Sequence, residues 1–312
     1  MKQLKNGFTL VELLVVMGIV GILAAALTTQ MPRVRESARA MRCKANLRNL
    51  AQAAMSDLVS RASDANDDKS FTRAASFEVL WKERSGSRMR KTYVVRRGWV
   101  SWASSSGAWP WNGEDKVYDS PEGGSMTRST FYGEKMSSST PPVAYLSLTN
   151  GTLWALVGKD INTYVCDTHR AAAERKTGKK VYRSYVMNGV YGFNFEKDQN
   201  KDPGHGIDSD VPAANRLMFA ELPARESWLS NSLSTEGADS VLDSSKKEYV
   251  GFNHKVGKRY AAHVAFADGH VEALLEPIVG DASKPSDSDL EKLTQQLCAG
   301  EEIDVDLRTK MK

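Results

Sequence analysis

Residues 1–32 read MKQLKNGFTLVELLVVMGIVGILAAALTTQMP, a short basic leader that runs into a long apolar segment. The leader carries Lys2 and Lys5 and ends at Gly7, and the 20 residues that follow contain a single charge, Glu12. As an α-helix such a segment is about 30 Å long, which matches the hydrocarbon thickness of a bilayer. The sequence therefore predicts a leader at 1–7 and a transmembrane helix at 8–28. An export signal that is cut near residues 24–26 is the alternative interpretation.

Glu12 is out of place in this apolar segment. A carboxylate near the middle of a membrane helix costs roughly 2.5–3.5 kcal/mol on insertion scales, so residues of this kind usually have a partner or a function. We therefore expect Glu12 to have a partner.

The segment Gly7-Phe8-Thr9-Leu10-Val11-Glu12 resembles the processing site of type IV prepilins and of type II secretion pseudopilins. The resemblance implies that a prepilin peptidase cuts after Gly7 and that the new N-terminal residue, Phe8, is methylated. Glu12 of one subunit can then pair with the amine of Phe8 on a neighbour, which cancels two charges that would be costly alone in apolar surroundings. The expected partners are the prepilin peptidase, other pilin or pseudopilin subunits and the inner membrane.

Residues 29–62 continue the helix with an amphipathic pattern. Pro32 is a position where the helix can kink or end. Apolar residues then recur every three or four positions, at Val34, Ala38, Met41, Ala45, Leu47, Leu50, Ala54 and Leu58. This spacing predicts one packing face along the helix. In pilin-like proteins the second half of such a helix lies against a sheet.

Residues 63–280 are predicted to form a globular, mainly β domain with large loop insertions. Five of the seven tryptophans fall between Trp81 and Trp111, and strand-like runs occur at 93–95, 99–102 and 216–221. A helix followed by a strand is expected over 150–167. The tryptophans are interpreted as sheet core, because aromatic rings dominate burial. A carbohydrate or protein-binding surface is the other interpretation.

The segment Asp268-Gly269 lies between two runs of alternating apolar residues and predicts a two-residue hairpin turn. The implied register places Ala267 opposite His270 and buries one face that is made of Val264, Phe266, Val271 and Ala273. Together with the preceding His254, the hairpin resembles a C-terminal His…Asp-Gly signature of large pilin-like proteins, associated with prepilin processing.

The histidines of this region are His254, His263 and His270. The predicted register places His263, His270 and Glu272 on the face away from the core. No metal-type His-x-x-x-His spacing is present, so we interpret the histidines as structural rather than as ligands.

Other features limit the remaining function classes. A net charge of +4 over 312 residues does not indicate a nucleic-acid partner, and no hydrolase or nucleotide-binding motif occurs, so an enzyme is not expected. Asp202, Asp208 and Asp210 lie in a glycine-containing loop that could hold calcium, but no cofactor is expected. Cys43, Cys166 and Cys298 allow three different single disulfides.

Residues 281–312 should form a short helix and a charged tail. Ser288 and Glu291 have the spacing of a capping box, Leu290, Leu293 and Leu297 share one face, and Gly300 marks the end.

The sequence thus predicts an α+β, pilin-like fold in which a long N-terminal helix packs on an antiparallel sheet. The expected function is that of a structural subunit of a type IV pilus or of a type II secretion pseudopilus. The N-terminus would be cytoplasmic and the globular domain extracytoplasmic. The alternative is a membrane-anchored extracytoplasmic binding protein, for a glycan or protein ligand, that uses the anchor for export only.

Overall fold

The computed structural model describes residues 9–62, 77–85, 88–95, 98–100, 116–120, 143–177, 180–191, 213–224, 241–242, 249–278 and 285–311. Its helices are α1 (Leu10–Ala62), α2 (Val143–Thr149), α3 (Asp167–Thr177), α4 (Asp287–Ala299) and α5 (Val305–Met311). Its strands are β1 (Phe77–Ser85), β2 (Arg88–Val95), β3 (Lys116–Ser120), β4 (Tyr185–Asn188), β5 (Leu217–Glu221), β6 (Val241–Leu242), β7 (His254–Val256), β8 (Arg259–Phe266) and β9 (Val271–Leu275). The predicted α+β class is confirmed.

Helix α1 is continuous for 53 residues and passes through Pro32. At 1.5 Å per residue it is about 80 Å long. Its first half is exposed, whereas the side chains that face the sheet are buried from Cys43 onward: Cys43, Leu47, Leu50, Ala51 and Ala54. The predicted packing face is correct at Leu47, Leu50 and Ala54 but wrong before them, since Val34 and Met41 are 61% and 68% exposed.

The larger sheet has six strands, in which β6, β4, β5 and β8 are neighbours in that order. Strand β8 has partners along both of its edges. It pairs with β9 along one edge, and along its other edge it pairs first with β7 and then with β5. Strands β5 and β7 therefore lie end to end beside β8, and the N–H of Gly251 donates to the carbonyl of Glu221 where they meet, at 2.8 Å. The sheet is antiparallel, as predicted, except for the short pair of β4 with β6, which is parallel.

Both faces of this sheet are covered. On one face, α1 packs with Trp99, Tyr164 and Phe219 to form a hydrophobic core. On the other, Leu290, Leu293 and Leu297 of α4 join Val264 and Phe266 of β8 in a second core. Because β8 is buried on both sides, its residues do not alternate between core and solvent.

A second, three-stranded antiparallel sheet is formed by β1, β2 and β3. It includes the predicted strand at Tyr93–Val95. Trp99 and Val100 form a bend rather than the expected strand. Over 150–167 the expected helix and strand are wrong, since turns lead into a 3₁₀ turn at Ile161–Tyr164 and no strand follows within those described residues.

The hairpin between β8 and β9 differs from the predicted register by one residue. Ala265 pairs with Val271 and Val264 with Glu272, so the loop has three residues, with Gly269 in a left-handed conformation at φ 86°. Phe266 and His270 close it through the N–H of Phe266, which donates to the His270 carbonyl at 3.0 Å. The shift exposes Ala273, which was predicted to be buried, and buries Leu274 instead.

Helix α4 confirms the predicted leucine face and the Gly300 end, where Gly300 has φ 74°. Its start was predicted two residues too late. The N-cap is Ser286, whose Oγ accepts from the N–H of Asp289 at 3.1 Å. Ser288 lies inside the helix.

Candidate functional site

Thr9 and Glu12 cap the start of α1. The Glu12 Oε2 accepts from the N–H and from the hydroxyl of Thr9, at 2.9 and 2.8 Å. The Thr9 Oγ1 accepts from the N–H of Glu12 at 3.2 Å. This reciprocal arrangement is a capping box, which supplies partners to backbone groups that a helix start leaves unpaired. No cap was predicted here, although Thr-x-x-Glu before an apolar run is the sequence signal for one.

Apolar side chains cover the first half of α1. Leu10 is 79% exposed, Ile22 72% and Leu27 68%. An apolar surface of this extent is typical of a protein or membrane interaction site. Within the part of the chain that the structure describes, no helix combines the length and the apolar character that a membrane crossing requires.

A group of buried polar side chains lies between α1 and the larger sheet. We call it the Glu221 cluster, and it consists of Cys43, Cys166, Glu221, His254 and His263, each at most 2% exposed. The end-to-end arrangement of β5 and β7 beside β8 explains the convergence. Glu221 is the last residue of β5 and His254 is the first residue of β7, and His263 lies in β8 beside both strands. Cys43 comes from α1, which packs across these strands.

The contacts within the Glu221 cluster centre on one carboxylate oxygen. Glu221 Oε1 lies 2.7 Å from Cys43 Sγ, 2.9 Å from His263 Nδ1 and 3.2 Å from His254 Nε2. Cys166 Sγ is 3.4 Å from the same His254 nitrogen. The two imidazole rings are 4.4 Å apart between centroids. All of these atoms are excluded from water, so their charges interact strongly.

Surrounding residues hold the Glu221 cluster in place. His254 Nδ1 lies 3.0 Å from Glu36 Oε1, on α1, and Glu36 also accepts from the Thr168 hydroxyl at 3.1 Å. The Asn253 amide donates to Glu221 Oε2 at 2.9 Å, and the Tyr185 hydroxyl donates to Cys43 Sγ at 3.3 Å.

The buried charges shift the pKa values of the cluster in opposite directions. Burial by itself raises the pKa of Glu221, but hydrogen bonds with His254 and His263 outweigh it and hold that pKa well below its usual range. Burial by itself lowers the pKa of His254, whereas hydrogen bonds with Cys166, Glu221 and Glu36 raise it to about 12. Glu221 and His254 thus form a buried ion pair.

The pKa values of the two thiols in the cluster are also shifted in opposite directions. Burial raises the pKa of Cys43 well above its ordinary value, and the neighbouring Cys166 and Glu221 raise it further. A hydrogen bond from Cys43 lowers the pKa of Cys166 to about 7, against the effect of burial. Cys166 is therefore the more acidic thiol, as expected next to a protonated imidazole.

A groove of about 1120 Å³ leads from the surface to the cluster. It runs between residues 32–44 of α1 and residues 253–263, and its lining includes Glu36, His254 and His263. The histidines, although buried, are thus next to solvent-accessible space.

The structure separates the residues that the sequence singled out. His254 and His263 lie together in the core, which corrects the predicted outward face of His263, while His270 and Asp268 form an exposed pair 2.5 Å apart in the hairpin turn. All three cysteines are buried thiols, and none of the three disulfides is formed. Gly7, Phe8, Asp202, Asp208 and Asp210 lie outside the described residues.

The histidines were considered together from the sequence, whereas their partners Cys43 and Glu221 were not predicted. Glu221 was visible as a carboxylate that ends an apolar strand, and Cys43 as a cysteine on a helix face. Nothing local to either residue indicates that β5, β7 and α1 meet at this point. Trp99, the one predicted core tryptophan whose side chain the structure describes, is fully buried and stacks on Tyr164 at 6.0 Å.

Comparison with known proteins finds a match at the N-terminus. Residues 2–28 match the family described as the prokaryotic N-terminal methylation motif. No curated protein and no solved structure matches the chain. The chain therefore carries a prepilin-type motif, which is characteristic of precursors of the type IV pilin-like and pseudopilin class. That motif implies processing by a prepilin peptidase and association with other subunits of the same class.

Proposed function

We propose that this chain is a pilin-like structural subunit that is cleaved after Gly7, methylated on Phe8 and assembled through α1 into a type IV pilus or a type II secretion pseudopilus. The observation that carries the proposal is the methylation-motif match at 2–28, which runs directly into a 53-residue helix. The exposed apolar side chains of that helix support it, because a filament core is one environment that would bury them.

Before assembly, the apolar residues 8–28 anchor the subunit in the inner membrane, with the leader cytoplasmic and the globular part extracytoplasmic. The support for this anchor is the sequence, which carries one charge in 20 residues, together with the methylation motif. The anchor and the filament core are two successive environments for the same side chains.

Glu12 pairs with the α-amine of Phe8 on a neighbouring subunit in the assembled state. In the single chain, both Thr9 hydrogen bonds to Glu12 use Oε2, and pairing with an amine needs only Oε1. The capping box is thus compatible with assembly, and it fixes the position of the carboxylate at the first turn of α1.

The C-terminal hairpin supports a place among the larger pilin-like proteins. His254 and the Asp268-Gly269 turn resemble the C-terminal signature of those proteins, and here His254 contributes to the core while Asp268 and Gly269 shape the turn. The role of these residues is to hold the fold rather than to carry out chemistry.

Mass spectrometry of the mature N-terminus tests the proposal. Protein purified from the membrane of a strain with an active prepilin peptidase should lack residues 1–7 and begin with N-methyl-Phe8. A Gly7→Val variant should keep its leader, because it replaces the glycine after which the motif places the cut. An uncut N-terminus in the wild type, or a cut near residue 26, would instead support an anchored or exported binding protein and contradict the filament subunit.

A further inference from the structure

We propose that Cys43, Glu221, His254 and His263 bind a zinc ion that fastens helix α1 to the sheet. One ligand atom from each of these residues lies within 4.8 Å of all the others, and all four side chains are buried. The proposal is independent of the filament function, since Cys43 lies in the half of α1 that packs on the sheet.

The crowding around Glu221 Oε1 supports a cation at this position. Three polar groups, from Cys43, His254 and His263, lie within 3.2 Å of that single oxygen. A carboxylate oxygen has two lone pairs, so it cannot accept three good hydrogen bonds at once. A metal ion that replaces the protons of these groups satisfies all four side chains together.

The types of ligand select the metal. A thiolate and two imidazoles favour zinc over calcium or magnesium, which prefer oxygen ligands. Four ligands at about 2.0–2.3 Å from a tetrahedral zinc are roughly 3.3–3.8 Å from one another. The three separations from Glu221 Oε1, at 2.7, 2.9 and 3.2 Å, are shorter than this range, and all the ligand atoms lie within 4.8 Å of one another, so shifts of about 1 Å complete the site.

The neighbours have the arrangement that orients metal ligands. A ligating histidine usually donates a hydrogen bond from the N–H of its other ring nitrogen, often to a carboxylate. His254 turns Nε2 towards the cluster and has Nδ1 3.0 Å from Glu36 Oε1. The Asn253 amide holds the second oxygen of Glu221 at 2.9 Å. Glu36 is therefore a positioning residue for the site.

A zinc ion can reach the cluster from solvent, and at the cluster it links α1 to the sheet. The groove beside His254 and His263 connects the cluster to solvent. Cys43 comes from α1, whereas the other three ligands come from β5, β7 and β8. Zinc at this point joins the filament helix to the sheet by coordination bonds in addition to apolar packing.

Metal analysis of the full chain in detergent tests the proposal. The protein should be purified without a metal-affinity step and under reducing conditions. Inductively coupled plasma mass spectrometry should then find about one zinc ion per chain. After chelation, titration with Co²⁺ should produce the absorption bands of tetrahedral cobalt and a thiolate-to-cobalt charge-transfer band. Added Zn²⁺ should bleach these bands and raise the unfolding temperature.

Variants with matched controls locate the ligands. Cys43→Ser should abolish the charge-transfer band, and His263→Gln should abolish stoichiometric binding. The controls are Cys298→Ser, a buried cysteine of the other core, and His270→Gln, an exposed histidine of the same hairpin. Both controls should bind like the wild type. Glu36→Gln should weaken zinc binding by about 10–100-fold without changing the stoichiometry.

The wild-type titration decides the proposal even if a variant fails to fold. Absence of the cobalt bands in folded, reduced wild-type protein would overturn it, as would a Cys43–Cys166 disulfide in protein taken directly from cells. Unchanged binding by folded Cys43→Ser and His263→Gln would also overturn it. None of these results bears on whether Phe8 is methylated.

Discussion

At the scale of single residues, the chain carries two carboxylates whose surroundings differ completely. Glu12 is exposed at the helix start and uses Thr9 as a local partner. Glu221 is fully buried, and its charge is retained only because His254 and His263 stand beside it. Replacing one member of such a buried group leaves the others unpaired and costs about 3–5 kcal/mol.

The burial of His169, on α3, predicts that the protein loses stability as the pH falls. His169 is buried, with Nδ1 2.9 Å from Ser184 Oγ, and burial lowers its pKa to about 4 against the effect of nearby Glu221. The unfolded chain takes up this proton at about pH 6.5, before the folded chain does. Its contribution is therefore full above pH 6.5 and is lost as the pH falls to 4, by up to about 3 kcal/mol.

Urea unfolding of the full chain in detergent between pH 7 and 4.5 measures this effect. His169→Gln should make the stability less dependent on pH in that window, whereas exposed His270→Gln should leave the wild-type slope. Equal slopes for His169→Gln and the wild type would show that another group causes the acid sensitivity.

At the scale of elements, the start of α1 separates the two roles of Glu12. Glutamine at the third helical position also completes a capping box, but it carries no charge. Glu12→Gln should therefore preserve the helix start and still reduce filament assembly strongly, because the Phe8 amine loses its counter-charge. Thr9→Ala is the converse variant: it removes the cap at a cost of about 1 kcal/mol and keeps the charge.

Assembly of each variant can be measured as the amount of that protein in filaments sheared from the cells. The amount of the same variant in the membrane is the control. Normal assembly of Glu12→Gln would contradict charge pairing, and a defect in Thr9→Ala alone would assign the role of Glu12 to capping.

The sequence predicted which elements exist better than it predicted how they meet. Periodicity indicated α1, an apolar run indicated β5 and the leucine spacing indicated α4. The face of α1 before Leu47 was wrong because alanine and methionine are weak markers of burial, while the residues that pack there include Cys43 and Asn46. The hairpin register was wrong because Asp-Gly suits a three-residue loop with a left-handed glycine as well as a two-residue turn.

The Glu221 cluster was beyond sequence reasoning for a different reason. Its members come from positions 43 to 263 and follow no ligand spacing. They converge because β5 and β7 share one edge of β8, which is a property of the sheet order. Local patterns carry no information about that order.

At the scale of the whole molecule, α1 divides into a half that is buried in the subunit and a half that is exposed. Leu47 is fully buried against the sheet, whereas Leu23 is 59% exposed. Leu47→Ala should lower the free energy of unfolding by about 2–5 kcal/mol. Leu23→Ala should leave it nearly unchanged and reduce assembly instead.

Urea unfolding in detergent and the sheared filament fraction, measured on both variants, check this division. A large loss of stability in Leu23→Ala would show that the exposed half contacts the globular part. Normal assembly of a folded Leu23→Ala would argue against a packed filament core at that residue.

The continuity of α1 also has a mechanical consequence. Because the helix is unbroken from Leu10 to Ala62 and packs on β8, a pull on its first turns is transmitted to a strand that has partners on both sides rather than to an edge strand. The load on β8 is shared between its neighbours, so no single ladder of hydrogen bonds must break first. In the proposed filament, tension along α1 is therefore carried by two ladders at once.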